Sequence, residues 1–399
     1  MNSDENAPFG GWGASSSLLG RLGGAIYIHI PFCKQACHYC DFHFSTSLKK
    51  KDELVQALIR EIELRRTELQ GQTVETIYFG GGTPSLLTNK ELELIINSVY
   101  KHYKVTENPE VTLEANPDDL TFERINELTN TRINRLSIGI QSFFERDLKL
   151  MNRAHNVEEA RKCLEEATKH FDNISVDLIY GIPDLSNKAW IENIEIALSY
   201  NIPHISSYAL TVEPKTALET FIKKGIIKNV DDDLAQEQFH ILIDKLESAG
   251  FEHYELSNFG KRDYFSKNNS AYWQGKSYLG IGPSAHSFNG KQRGWNVRNN
   301  SKYIKSIQQN ILPIEFETLS VTDKYNEYVM TGLRTIWGVS LTKVESDFGK
   351  NYKKYLLQQS EKHINQQLLY IDGDKLLTTK KGKFLSDGIA SNLFKINLT

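Results

Sequence analysis

Cys33, Cys37 and Cys40 form a CxxxCxxC run in a chain that has only one further cysteine among its 399 residues. Thiolates this close on one loop suit a metal. Three of them can hold three irons of a cubane iron–sulfur cluster, which four cysteines would otherwise saturate. The fourth iron then stays open to a substrate, much as a catalytic zinc keeps an open position. Zinc itself, with His29, His38 or His43 as fourth ligand, is the competing metal reading. Zinc motifs usually come as two separated ligand pairs, and the sequence shows no second pair. A disulfide framework is disfavoured, because four cysteines are too few to staple a chain of this length. Cys163 shares a helical face with Ala160, Leu164 and Ala167, which predicts a buried free thiol.

The hydrophobic pattern shows which elements must position these residues. Residues 26–30 read as a buried strand, and Pro31 closes it, so the cysteines lie just past a strand's carboxyl end. Further strands are expected at 76–79, 111–117, 136–143, 174–182 and 204–212. Helical patterns such as 51–69 and 90–100 fall between them. This alternation predicts right-handed βαβ units and a parallel sheet. Six units over ~190 residues are too few for a closed eight-unit barrel and suit an open, partial one. Chemistry in such folds gathers at the carboxyl ends of the strands. Gly80–Thr83, Glu114, Gln141 and Asp177 fall there together with the cysteines, which predicts one shared site.

The remaining stretches differ in character. Residues 1–24 are rich in glycine and serine and predict a disordered extension. The barrel is expected over 25–230. Residues 231–319, with a helix at 234–249, a strand at 253–259 and a glycine-rich run at 278–286, are expected to close the open barrel over a flat ligand. From 320 to 399, helices at 322–337, 341–348 and 352–367 precede a hairpin with an Asp-Gly turn, a pattern that resembles a winged-helix module. A net charge of −3 argues against wholesale nucleic-acid binding, and Lys380–Lys383 reads as a solvated edge. No apolar run approaches the ~20 residues of a membrane span; peripheral membrane association is left open. Few cysteines, three of them apparent metal ligands, fit a reducing cytoplasm.

The stretch from Tyr27 to Phe42, YIHIPFCKQACHYCDF, resembles the signature of the radical SAM superfamily. Its YIHIPFCxxxCxYC form is similar to the branch that holds the oxygen-independent coproporphyrinogen III oxidases and the HemW-type heme chaperones. The resemblance implies a partial (βα)6 TIM-like barrel and a 4Fe–4S cluster on Cys33, Cys37 and Cys40. The open iron would chelate S-adenosylmethionine (SAM), whose sulfonium one electron cleaves to a 5′-deoxyadenosyl radical. It further implies SAM contacts from Tyr27, Gly81, Gly82 and Thr83. Glu114 would meet a cationic group, Gln141 and Asp177 the ribose, and Arg153 the SAM carboxylate.

The oxidases resemble CxxxCxxCxC, whereas Phe42 stands at the last of these positions here, and the CDF ending resembles the HemW group. Heme binding and transfer to an acceptor protein are then implied, with a reductant such as flavodoxin or ferredoxin and with no catalytic side chain assigned. The alternative is an anaerobic coproporphyrinogen III oxidase acting on a porphyrinogen by oxidative decarboxylation to protoporphyrinogen IX. The group's HNxxYW motif is matched by NNSAYW at 268–273, with Asn268 in the histidine's place.

Overall fold

The computed structural model describes residues 23–69 and 71–396. The extension expected over 1–24 lies outside them except for Gly23 and Gly24, and Gly24 already belongs to the first strand. Six strands pair in parallel and in chain order: β1 (Gly24–Ile30), β2 (Val74–Gly81), β3 (Val105–Ala115), β4 (Arg135–Gln141), β5 (Ile174–Tyr180) and β6 (His204–Ala209). Between them run α1 (Lys51–Leu64), α2 (Asn89–His102), α3 (Phe122–Leu128), α4 (Glu145–Met151), α5 (Val157–His170) and α6 (Asn187–Ser199). This is the expected open α/β barrel.

Strand alternation divides the barrel into two environments. Ile26, Ile28, Ile77, Phe79, Leu113 and Ile138 are fully buried on the helical side. The alternate residues Tyr27, Tyr78, Glu114, Ser137, Asp177 and Ser206 face the lumen, which is therefore polar. Helix starts are fixed by side chains. Thr88 with Glu91, and Asn156 with Glu159, form capping boxes before α2 and α5.

Beyond β6 come α7 (Ala217–Lys223), α8 (Asp232–Ser248), β7 (Glu252–Glu255) and β8 (Asn258–Gly260). The single strand expected at 253–259 is thus an antiparallel hairpin. Its turn at Leu256 and Ser257 is held by the Asn258 side-chain amide donating to Glu255 and by His253 Nε2 bonded to the Leu256 carbonyl at 3.1 Å. Then follow α9 (Lys267–Trp273), β9 (Tyr278–Ile281), β10 (His286–Phe288), β11 (Gln292–Asn296), α10 (Asn300–Gln308) and β12 (Ile314–Thr318). Together the strands make a twelve-stranded open sheet in the order β12-β11-β10-β9-β1-β2-β3-β4-β5-β6-β8-β7.

The last stretch holds α11 (Val321–Leu333), β13 (Val339–Ser340), α12 (Leu341–Phe348), α13 (Lys350–Asn365), β14 (Leu369–Asp372), β15 (Lys375–Thr378), α14 (Lys380–Lys383) and α15 (Ser386–Leu393). Its three strands form a small sheet, β13-β15-β14, over an apolar cluster that includes Tyr325, Val329, Leu356 and Ile389. Lys383 Nζ donates to His253 Nδ1 at 2.9 Å, joining this region to β7.

The sequence pattern extends α1 to residue 69, but the helix ends at Leu64. Arg65 is turned inward and is 1% exposed. Its guanidinium reaches Glu61 Oε1 at 2.9 Å, the Gly280 carbonyl at 2.7 Å and Ser287 Oγ at 3.0 Å. Glu61, fully buried, also accepts from the Gly282 amide at 2.8 Å and Asn296 Nδ2 at 2.7 Å. This pair fastens α1 to the β9–β11 arm. Removing one partner of a buried pair leaves the other uncompensated, so Arg65→Met is expected to lose about 3–5 kcal/mol of unfolding free energy. Chemical denaturation measures it, and a loss below about 1 kcal/mol, as for a surface pair, would refute the assignment.

Candidate functional site

The cysteine loop leaves β1 at Ile30 and is braced on every side. The Cys33 amide donates to Ser45 O at 3.1 Å and the Ser45 amide to Pro31 O at 2.9 Å. The Gly82 amide reaches Ile30 O at 2.9 Å and the Thr83 amide Phe32 O at 2.7 Å. Farther along, the His38 amide donates to Met151 O at 3.0 Å, and Asn152 Nδ2 to Ala36 O at 2.7 Å. All three cysteine thiols are free and half-buried. Burial raises Cys33 above the usual thiol range and pushes Cys40 up to about 11, with the neighbouring thiols adding to both. A positive metal centre reverses that preference, because thiolate ligands are stabilised by coordination. Among the described residues, no three His, Cys, Asp or Glu side chains converge tightly enough to hold a single ion. A cubane instead spreads three thiolates over three irons.

Beside the loop lies a cavity of about 110 Å³. Of the residues the sequence singled out, Gly82, Thr83, Glu114, Gln141, Arg153 and Asp177 line it. Gly81 stands one step away, its amide donating to Glu114 Oε2 at 3.1 Å. At φ +112° a side chain on Gly81 would be strained and would run into the His29 ring. Tyr27 faces a neighbouring cavity of about 450 Å³, shared with His29, His43 and His286; its hydroxyl lies 3.2 Å from His29 Nδ1.

Charge in the small cavity is poorly balanced. Burial raises Glu114 to about 7, although Tyr78 Oη donates to it at 2.8 Å. Burial likewise raises Asp177 to about 6, with Ser137 Oγ at 3.3 Å. Arg153 Nη1 is 3.4 Å from Cys37 Sγ, and its Nη2 donates to Asn116 Oδ1 at 2.7 Å and Gly139 O at 3.0 Å. Its Nε is buried without a partner. The arrangement suits a ligand with a cationic group for the two acids and an anionic group for the guanidinium.

Sequence reasoning missed Tyr78, Asn116, Ser137 and Gly139. The signal was available: each lies on the lumen parity of its strand or just past the strand's end. Position 42 is occupied by an exposed ring, 68% accessible, at the edge of the larger cavity. Asn268 is 1% exposed and accepts from Thr76 Oγ1 at 3.0 Å. Cys163 is buried, as expected.

The chain matches the radical SAM superfamily over residues 27–197 and the HemN C-terminal domain over 319–385. It is 32% identical over 374 residues to the heme chaperone HemW of Mycobacterium tuberculosis, covering 92% of this chain and 94% of that one. It is likewise 32% identical over 370 residues to HemW of Bacillus subtilis, covering 92% and 97%. A mouse protein, radical S-adenosyl methionine domain-containing protein 1, mitochondrial, is 36% identical over 66% of this chain and 60% of its own. The fold is similar to that of the coproporphyrinogen III oxidase HemN of Escherichia coli, with a TM-score of 0.82 at 21% identity, covering 94% of this chain and 91% of that one.

A pH dependence follows from Glu114. Its carboxyl sits at about 7 when folded against an ordinary 4.5. Between those values the folded chain binds more protons than the unfolded chain, so stability falls as pH rises. At ~1.4 kcal/mol per unit, the ligand-free protein is expected to lose roughly 2–4 kcal/mol between pH 5 and 8 through this group. Glu114→Gln should flatten the slope of unfolding free energy against pH, leaving the smaller contribution of Asp177. Equal slopes in urea titrations of the two proteins would show that the carboxyl is not desolvated.

Proposed function

This chain belongs to the HemW family of radical SAM proteins, and from that premise we propose that it binds heme and passes it to an acceptor protein. The likeness that carries this reading runs over 92% of the chain and 94% of its mycobacterial relative. Phe42 supports it, since a phenyl ring cannot supply the further thiolate found in the oxidases.

The family implies a 4Fe–4S cluster and SAM, and the residues fit both. Three thiols on a braced loop, two desolvated carboxyls that form no salt bridge among the described residues and a buried guanidinium with an unpartnered Nε match the donors these groups require. Cys33, Cys37 and Cys40 would hold the cluster. Tyr27, Gly81, Gly82 and Thr83 would border SAM, with its cationic end toward Glu114, its ribose toward Gln141 and Asp177 and its carboxylate toward Arg153. When bound and reduced, such a cluster supplies an electron to the sulfonium of SAM. Arg153, 3.4 Å from Cys37 Sγ, would steady the charge of a thiolate ligand there. No side chain is assigned a catalytic role. A low-potential reductant such as flavodoxin or ferredoxin would serve the cluster, and the free thiols suit a cytoplasmic setting. No described helix is long and apolar enough to cross a membrane.

The test is anaerobic and uses the reconstituted full chain. Stoichiometric hemin binding and transfer to an apo-hemoprotein are expected, with no decarboxylated product from coproporphyrinogen III, SAM and reductant by mass spectrometry. Decarboxylated porphyrinogens at catalytic turnover would overturn the reading in favour of an oxidase.

A further inference from the structure

The sheet does not close on itself, and its two ends leave a seam. A cavity of about 740 Å³ opens there. Tyr208 of β6, Tyr272 of α9 and Tyr278 of β9 wall it on the barrel side, and Tyr328 and Met330 of α11 wall it on the other. Helix α11 bridges the seam. Arg293 Nη2 of β11 pairs with Glu327 at 2.6 Å, and the Ile336 amide, just past the helix, donates to Tyr254 O of β7 at 3.0 Å.

Four cations line the opening: Arg293, Lys324, Arg334 and Lys343. Arg293 is held by Glu327 and Lys343 by Asp347 at 2.5 Å. The Arg334 guanidinium lies 5.2 Å over the Trp273 ring and 3.3 Å from Asp387. Lys324 has no acidic partner within 4.0 Å among the described residues. Glu255 also faces the cavity, and burial raises its carboxyl above the usual range.

We infer that this seam is the tetrapyrrole site: heme enters edge-on between α11 and the tyrosines of the barrel, with its two carboxylates at Lys324 and Arg334 and no histidine at the iron. The inference rests on the heme-binding reading and gives it a place. A flat apolar ring bearing two carboxylates asks for aromatic walls and a cationic rim, within the ~300–1,000 Å³ typical of ligand cavities. Two other cavities suit it less. One of equal volume has Arg262, Lys267 and Lys276 but only two rings, Phe265 and Trp337, and Glu75, Glu252 and Asp263 would face the carboxylates. The other, of 450 Å³, offers a single Lys or Arg side chain, Arg298, for two carboxylates. Two of its three histidines are also engaged, with His29 Nε2 3.2 Å from His43 O and His43 Nε2 2.7 Å from Asn300 Oδ1; the third, His286, is the imidazole that the histidine variant tests. The described lining of the seam contains no imidazole; Met330 supplies the soft donor there.

Hemin titration of the full chain by absorbance, with circular dichroism to verify folding, tests the placement. Lys324→Glu with Arg334→Glu should weaken hemin binding about tenfold or more through loss of two charge-assisted contacts. Lys324→Glu alone, at a half-exposed position, should give a smaller loss in the same direction and guards against misfolding of the double variant. His43→Ala with His286→Ala should leave affinity and Soret maximum as in the wild type. Wild-type chain that binds no hemin defeats the heme reading itself. Wild-type binding that the seam variants retain, or that the histidine variant loses, defeats the placement alone.

Discussion

Arg135 sits inside the barrel, 2% exposed, and forms no ion pair within 4.0 Å among the described residues. Its Nε has no partner at all. A buried cation of this kind costs several kcal/mol unless the field around it is negative. The field comes from Glu114 and Asp177, which feel Arg135 as a charge that lowers them, yet burial still leaves both carboxyls raised. The interior therefore holds two acids against Arg135 and, at the cavity rim, Arg153, while outward residues such as Ile26, Ile77, Phe79, Leu113 and Ile138 are apolar. The helical shell can be made from ordinary hydrophobic contacts. The interior depends on these few charges, and its polar residues converge at the strand ends beside the cysteine loop.

The floor of the barrel obeys the same constraint. Glu110, 4% exposed, accepts from the Lys267 and Asn268 amides at 3.1 Å each, so a carboxylate caps the N-terminus of α9. This seats α9 across the lumen and carries Tyr272 up to the level of Glu114. The same seating explains the environment of Asn268. A side chain at that position bonds to Thr76 in the floor of the barrel, and its short amide suits the space.

Much of this was legible in the sequence because the signals are local. The CxxxCxxC spacing, the strand closed by Pro31 and the βα alternation each lie within one element or one connection. Six of the eight SAM-associated residues line one cavity because strand order alone places them at neighbouring carboxyl ends. The rest was hidden where geometry depends on distant partners. The turn at Leu256 and Ser257 needed the Glu255–Asn258 contact to show itself inside an apparently continuous strand. Helix α1 stops early because Arg65 finds Gly280 and Ser287, more than two hundred residues away. Tyr27 faces the neighbouring cavity because β1 pairs with β9, which follows it by about 250 residues. The seam at α11 is a meeting of segments that no sequence window contains.

The bracing of the cysteine loop sets an order of events in the life of the chain. Its contacts come from Ser45, from Gly82 and Thr83 after β2, from Met151 and Asn152 after β4, and from Leu218, whose amide donates to His38 O at 2.8 Å. All of these partners but Ser45 are translated long after the cysteines and reach the loop only when the strands have paired. In small zinc modules the metal gathers its ligands and folding follows. Here the protein gathers the ligands itself. The shape of the loop is thereby tied to the pairing of strands that the ribosome delivers after it.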